Sequence, residues 1–199
     1  MLNIPAYSFE MYDILYRLHC LGISTSRPWA ANVDPLAFSN MLYDVEYDML
    51  LLSAKLAPDG DDSICSDESY VASVLLVSGQ LFLLIALRML PLASRTCAIL
   101  QQRLADALDR DDLFAVWTDQ CPIEALLWAI SIGVLVASSG SACMELLKKH
   151  MEEAVRLLQL TNCDDLERIL KCYAWSDHCS IHFERAWNEI SIASWIMEA

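Results

Sequence analysis

Apolar positions recur along most of this chain at steps of three and four residues, the period of a helix with one buried face. Met11, Ile14, Leu15, Leu18 and Leu21 make the first such stripe, with Ser8 placed to cap it and Gly22 placed to end it. Asp34-Pro35 reads as an N-cap followed by proline at the first helical position. The stripe that follows is Phe38, Leu42, Val45, Met49, Leu52 and Leu56, with Asp44, Glu46, Asp48 and Lys55 off it. It stops after fewer than about three heptads, so it reads as a core-facing stripe rather than a dimer seam. Pro58-Asp59-Gly60 then breaks the pattern, and 57–69 reads as an acidic, solvated loop.

The rest of the chain continues in the same way. An apolar helix is expected over 71–90, stopped by Pro91, and a second, capped by Ser94, carries Cys97, Leu100, Leu104 and Leu108. Pro122 opens another apolar helix to about residue 137, where Ser138-Ser139-Gly140 interrupts. Ser141 caps a helix with Leu147, Met151, Ala154 and Leu158. Thr161 or Asn162 caps the last stretch, whose Leu166, Ile169, Leu170 and Tyr173 point to one long helix running on towards Trp187 and Ile190. No segment shows strand alternation and no internal repeat is visible. The pattern predicts an all-α fold in one domain over 1–199, a bundle of about seven or eight helices with two fully apolar central ones, 71–90 and 122–137.

Those two apolar stretches raise the question of a membrane. Uncharged runs extend over 17 residues from Val71 and 20 from Ala125, against the ~20 apolar residues that a bilayer core requires. Ser73, Ser78, Gly79 and Gln80 interrupt the first, and Ser131 and Ser138 to Ser141 with Gly140 interrupt the second. Short, serine-broken runs fit helices surrounded by other helices, and Ala72, Gly79 and Ala86 would let a neighbour approach closely. The favoured reading is a soluble core. Two membrane-spanning helices, 71–90 and 122–137, remain the alternative.

Composition argues for a compact acidic domain. Of 199 residues, 56% are hydrophobic and 20% charged, enough for a sizeable core; a chain of this length buries about 70% of its unfolded surface. Charge is lopsided, with 13 Lys and Arg against 27 Asp and Glu, for a net −14. That field repels phosphate backbones, so direct nucleic-acid binding by this chain is not expected. Eight cysteines are spread along the chain with no Cys-x-x-Cys pair. No basic n-region opens the sequence, and the cysteines read as reduced and mostly buried in an intracellular protein.

Candidate chemistry is sparse. The five glycines are isolated, so no phosphate-cradling loop is formed, and no Gly-x-Ser-x-Gly elbow is present. Asp177-His178-Cys179 sets an acid, a base and a thiol side by side, but adjacent helical positions diverge by about 100° and cannot relay a proton among themselves. His178 and His182, with Glu184 nearby, have the spacing of half a metal site without an evident source for the other half. Asp111-Asp112 begins a magnesium-binding pattern of the terpene-cyclase kind, but Ala115 replaces its third acid. The second acidic motif would use Asn188 and Ser191 and ends on Trp195 instead of a glutamate. The chain therefore reads as non-enzymatic, with no catalytic, cofactor-binding or metal-ligating residue assigned.

Three groups of residues, in order, carry a family likeness. The first is Leu87-Arg88-Met89-Leu90-Pro91, followed by Gln102-Arg103-Leu104 and Leu108. The second is Glu124-Ala125-Leu126-Leu127-Trp128-Ala129 with Gly133. The third is Tyr173-Ala174-Trp175-Ser176-Asp177, Cys179, and Ala186-Trp187-Asn188-Glu189. Together they resemble the C-terminal regulatory region of fungal-specific transcription factors, most clearly over 70–190. In that family the helical region lies downstream of a six-cysteine binuclear zinc cluster that reads DNA, and no such paired cysteines or basic cluster stands in this sequence. The resemblance implies a regulatory domain acting through a protein partner, the transcription machinery or a small effector, with a homodimer as one arrangement. It also implies the nucleus, although no import signal is visible and the cytoplasm is the alternative. From the residues themselves, Trp128, Trp175 and Trp187 are expected in the core. Arg88 is expected either to favour a helix C-terminus or to pair with an acid, for which Asp177 is the candidate.

Overall fold

A computed structural model describes residues 8–26, 29–56 and 66–190, with side chains from 9 to 184. Among these residues there are nine α-helices and no strand. They are α1 (Ser8–Thr25), α2 (Pro35–Leu56), α3 (Asp67–Phe82), α4 (Arg95–Leu108), α5 (Leu113–Gln120), α6 (Ile123–Val136), α7 (Ala142–Leu157), α8 (Cys163–Leu170) and α9 (Asp177–Ile190). The all-α expectation therefore holds.

Local signals explain most of the boundaries. The Asp34 carboxylate accepts the Leu36 N–H at 2.9 Å, which starts α2 on Pro35. Ser94, Ser141 and Asn162 each accept an N–H three residues on, from Cys97, Met144 and Asp165. Ser66 does the same for Ser69, so Asp67 and Glu68 belong to the first turn of α3 and not to the acidic loop. The remainder of that loop, residues 57–65, and the expected Ser8 cap lie outside the described residues and side chains.

Helix α6 sets the centre of the bundle, because it packs against α3, α4, α5, α7, α8 and α9. Every residue from Ala125 to Val136 is buried. In α3 the burial is less complete, with Ser73 exposed and Val77 and Gln80 half-buried. The buried serines are satisfied within their own helices: Ser78 donates to the Val74 carbonyl and Ser131 to that of Leu127. The run Asp67–Leu87 is long and apolar enough to cross a bilayer, yet 72% of its most apolar window is buried against other helices. At 14 residues α6 is shorter than a span.

Several sequence expectations are corrected. The helix that Pro91 was to stop leaves α geometry earlier, after Phe82, and widens over Leu83–Leu87, where the Arg88 N–H reaches back to the Leu83 carbonyl. Met89 then takes a left-handed φ of 54°, which turns the chain ahead of Pro91. Gly22 does not end α1, which continues to Thr25. The stretch from Asn162 is two helices, α8 and α9, separated by 171–176, and α5 fills a segment with no evident stripe. Cys163 and Cys172 are exposed, so burial describes only some of the cysteines.

Arg88 pairs with Glu46 of α2, not with Asp177, and its guanidinium lies 4.8 Å from the centre of the Tyr43 ring. This joins the end of the apolar helix to α2. A double-mutant cycle on Arg88→Met and Glu46→Gln is expected to show coupling of about 0.5 kcal/mol, the usual scale for a half-exposed pair. The same cycle on Arg88→Met and Asp177→Asn should show about none, since the side chains acting on Arg88 are Tyr43 and Glu46; urea unfolding reads both.

Candidate functional site

The segment between α8 and α9 is the least regular part of the interior. Tyr173, Ala174, Trp175 and Ser176 are all buried outside the helices; the Ser176 carbonyl accepts the Ser180 N–H of α9, and side chains from elsewhere reach the carbonyls of Tyr173 and Ala174. Trp128 Nε1–H of α6 donates to the Ala174 carbonyl at 2.8 Å, and its ring stacks on Tyr173 at 6.1 Å. His19 Nδ1 of α1 lies 2.6 Å from the Tyr173 carbonyl, which fixes Nδ1 as the protonated nitrogen. The Trp175 carbonyl lies against Gly22 of the same helix. Ser176 then caps α9 by accepting the Cys179 N–H at 3.4 Å, and the buried Cys179 thiol is pushed up to about 11. Two of the three residue groups singled out in the sequence, 124–129 and 173–177, thus meet in space. Trp128 and Trp175 are core residues as expected; the Trp187 side chain lies outside the described ones.

A cleft of about 960 Å³ opens between the start of α5 and α7. Leu113, Phe114, Leu146, Val155 and Leu160 give it apolar walls, and His150 of α7 lines it beside them. The His150 ring is 7% exposed and 6.0 Å from the Phe114 ring. Its Nε2 is buried with no hydrogen-bond partner. Burial, then the Lys149 ammonium, lowers the His150 pKa from its ordinary value, against the opposing pull of the Leu108 carbonyl and Asp109. Carboxylates crowd the rim. Arg110 is held by Asp112 and Asp67, and Arg156 by Glu153, whereas Asp109, Asp111 and Glu152 make no ion pair among the described residues. Burial and the neighbouring Glu145 raise the Glu152 carboxyl above the usual carboxylate range.

The lowered His150 pKa carries a sign for stability. As pH falls through the ordinary histidine range near 6.5, the unfolded chain takes up this proton before the folded one does, so folding weakens. The loss is complete once the folded His150 also protonates. His150→Phe keeps a ring against Phe114 and removes the titration. Urea unfolding at pH 7.5 and pH 5 should show a smaller acid-side loss in the variant than in the native chain.

The other candidates are placed differently from what their spacing suggested. The His178 and His182 rings touch edge to face, 4.5 Å apart on α9, and burial with the neighbouring ring lowers the His178 pKa. No group of three His, Cys, Asp or Glu side chains positioned for a metal occurs among the described residues. Asp112 folds back on Arg110 at 2.5 Å, while Asp111 lines the cleft, so the two acids do not converge. The cleft itself went unread in the sequence. The signal that could have found it is His150 on the apolar stripe of α7, between Leu147 and Met151.

A second surface lies on α1 and α2, which run antiparallel, tied by Lys55–Glu10 and Arg17–Asp48 ion pairs. Their outward sides expose Phe9, Tyr12, Tyr16, Tyr47, Leu50 and Leu51, with Tyr12 and Tyr16 stacked at 6.2 Å. Exposed aromatic side chains of this kind are enriched at protein interfaces.

Comparison with known proteins finds no matching family model, no matching curated protein and no matching solved structure.

Proposed function

We propose that this chain is a regulatory domain of the kind found in fungal zinc-cluster transcription factors, working without a DNA-reading module among these residues. It acts in the nucleus through a protein partner or a small effector, with α3 and α6 as the paired central helices of its bundle. The observation that carries this reading is the junction of α6 with the 171–176 segment. The residues on which the resemblance rests meet there through the Trp128–Ala174 hydrogen bond and the Trp128–Tyr173 stack. The partner surface in this reading is the outer side of α1 and α2, whose exposed Phe9, Tyr12, Tyr16 and Tyr47 are of the aromatic type enriched at protein interfaces. The acidic balance of the chain, −14, directs it to proteins rather than nucleic acid.

Tethering tests the proposal. The chain is fused to an unrelated DNA-binding module and expressed with a reporter carrying that module's site. The reading predicts a several-fold change in transcription relative to the module alone. A folded, nuclear fusion that leaves the reporter unchanged contradicts it.

The membrane alternative draws on the mean hydropathy of 2.2 in Asp67–Leu87. It predicts a chain that stays with membranes through carbonate extraction; release into the soluble fraction excludes it.

A further inference from the structure

The α5–α7 cleft has the make-up of a ligand site, and its chemistry is selective. We infer that it binds an amphipathic organic cation: an aromatic or short alkyl body carrying a primary ammonium group. This names a ligand class for the effector side of the proposed function and rests on that reading for its biological use. The binding itself stands on the cleft alone.

Four observations converge. The volume, about 960 Å³, lies at the upper end of the range for small-molecule pockets. Leu113, Phe114 and Val155 offer an apolar lining to a ring or alkyl body. At the rim three carboxylates, Asp109, Asp111 and Glu152, lack an ion-pair partner among the described residues, against one unpaired cation, Lys149. The rim therefore attracts positive charge, and the net charge of −14 on the whole chain draws a cation towards it.

His150 adds the fourth. Its side chain is more than nine-tenths buried, yet Nε2 has no partner, and an orphaned buried polar atom is costly unless something satisfies it. In the neutral ring an unprotonated Nε2 only accepts. An ammonium only donates, so it complements the carboxylates directly, and it reaches that nitrogen, which is sealed from solvent in the free chain, once the ring turns towards the cleft. A carboxylate ligand would meet three like charges, and a neutral alcohol would satisfy His150 while leaving the rim unpaired.

The test uses the full chain at pH 7.5, titrated with 2-phenylethylammonium, 2-phenylethanol and 3-phenylpropanoate, three probes of similar body and different charge. Calorimetry gives the affinities, and methyl and histidine-ring NMR shifts give the place. The ammonium is expected to bind about tenfold tighter than the alcohol, with the propanoate weakest. Shifts should centre on Leu113, Val155 and His150. The double variant Asp111→Asn, Glu152→Gln changes only exposed or half-buried rim groups; it should lose that tenfold for the ammonium and leave the alcohol unchanged. His150→Phe should weaken the ammonium and the alcohol alike, with its circular dichroism unchanged.

Equal affinity for the three probes, preference for the propanoate, shifts away from the cleft, or no binding up to about 10 mM would each overturn the inference. None of these results bears on the tethered reporter, so failure of the ligand assignment and failure of the regulatory reading are separately visible.

Discussion

Replacing Trp128 with alanine should cost the fold about 4 kcal/mol, the scale for deleting a fully buried tryptophan. The ring is 0% exposed at the centre of α6, and its loss removes the stack on Tyr173 as well as the packing of six surrounding helices. Trp128→Phe separates packing from hydrogen bonding. It keeps an aromatic ring but leaves the Ala174 carbonyl, on a residue 1% exposed, without the Nε1–H that it accepts. An orphaned buried acceptor costs about 1–3 kcal/mol, so the phenylalanine variant should retain only part of the native stability. Urea unfolding followed by circular dichroism measures both. A Trp128→Phe chain as stable as the native one would show that the 171–176 segment is held by something other than this bond.

Gly22 gives the second large effect, and here two principles disagree on sign. By helix propensity alone, glycine to alanine inside α1 should stabilise by about 1 kcal/mol. The structure predicts the reverse. A Cβ at Gly22 would stand 2.7 Å from the Trp175 carbonyl oxygen and 3.1 Å from Phe82 Cζ. The first of these is backbone of the 171–176 segment, two residues ahead of α9, and cannot swing aside as a side chain can. Gly22→Ala is expected to destabilise, and Gly22→Val to cost about 3 kcal/mol, in the range of overpacked cores. A stabilised alanine variant would mean that α1 and the 171–176 segment do not approach each other as described.

Gly22 also shows what a single sequence reveals and what it hides. The stripe of α2 was legible because Leu42, Val45, Met49 and Leu52 fall at helical spacing and all are buried. The starts of α4 and α7 were legible because a capping serine precedes each stripe. Gly22 was read as a stop, since a glycine that ends a helix and one that admits a neighbour's backbone look alike along the chain. Tyr173, Ala174 and Trp175 continued an apolar pattern and were read as helix. They are buried in an irregular segment that is satisfied by His19 and Trp128, residues 154 and 46 positions away, and no local rule reports such partners. Arg88 was read either as a cation at a helix C-terminus or as one paired with an acid; it is paired, but its acid is Glu46 on α2, which the alignment of two distant helices decides.

The cleft was hidden for the same reason. Its walls come from 109–114, from α7 and from 159–161, and each wall residue passes locally for a core or surface position. Only His150, a polar ring among Leu147, Met151 and Ala154, breaks the pattern. The outer residues of α1 and α2 were overlooked because attention to a stripe describes the buried face and ignores what the opposite face carries.

The regulatory reading is tested most directly by pairing the tethered reporter with a surface variant. Tyr12→Ser, Tyr47→Ser and Leu50→Ser together alter three exposed side chains and leave the buried stripes intact. The native fusion should change reporter output several-fold, and the triple variant should lose that change while keeping its helical spectrum and thermal midpoint. A folded triple variant that regulates as well as the native chain would contradict the α1–α2 partner surface, and a native fusion without effect would contradict the regulatory function itself.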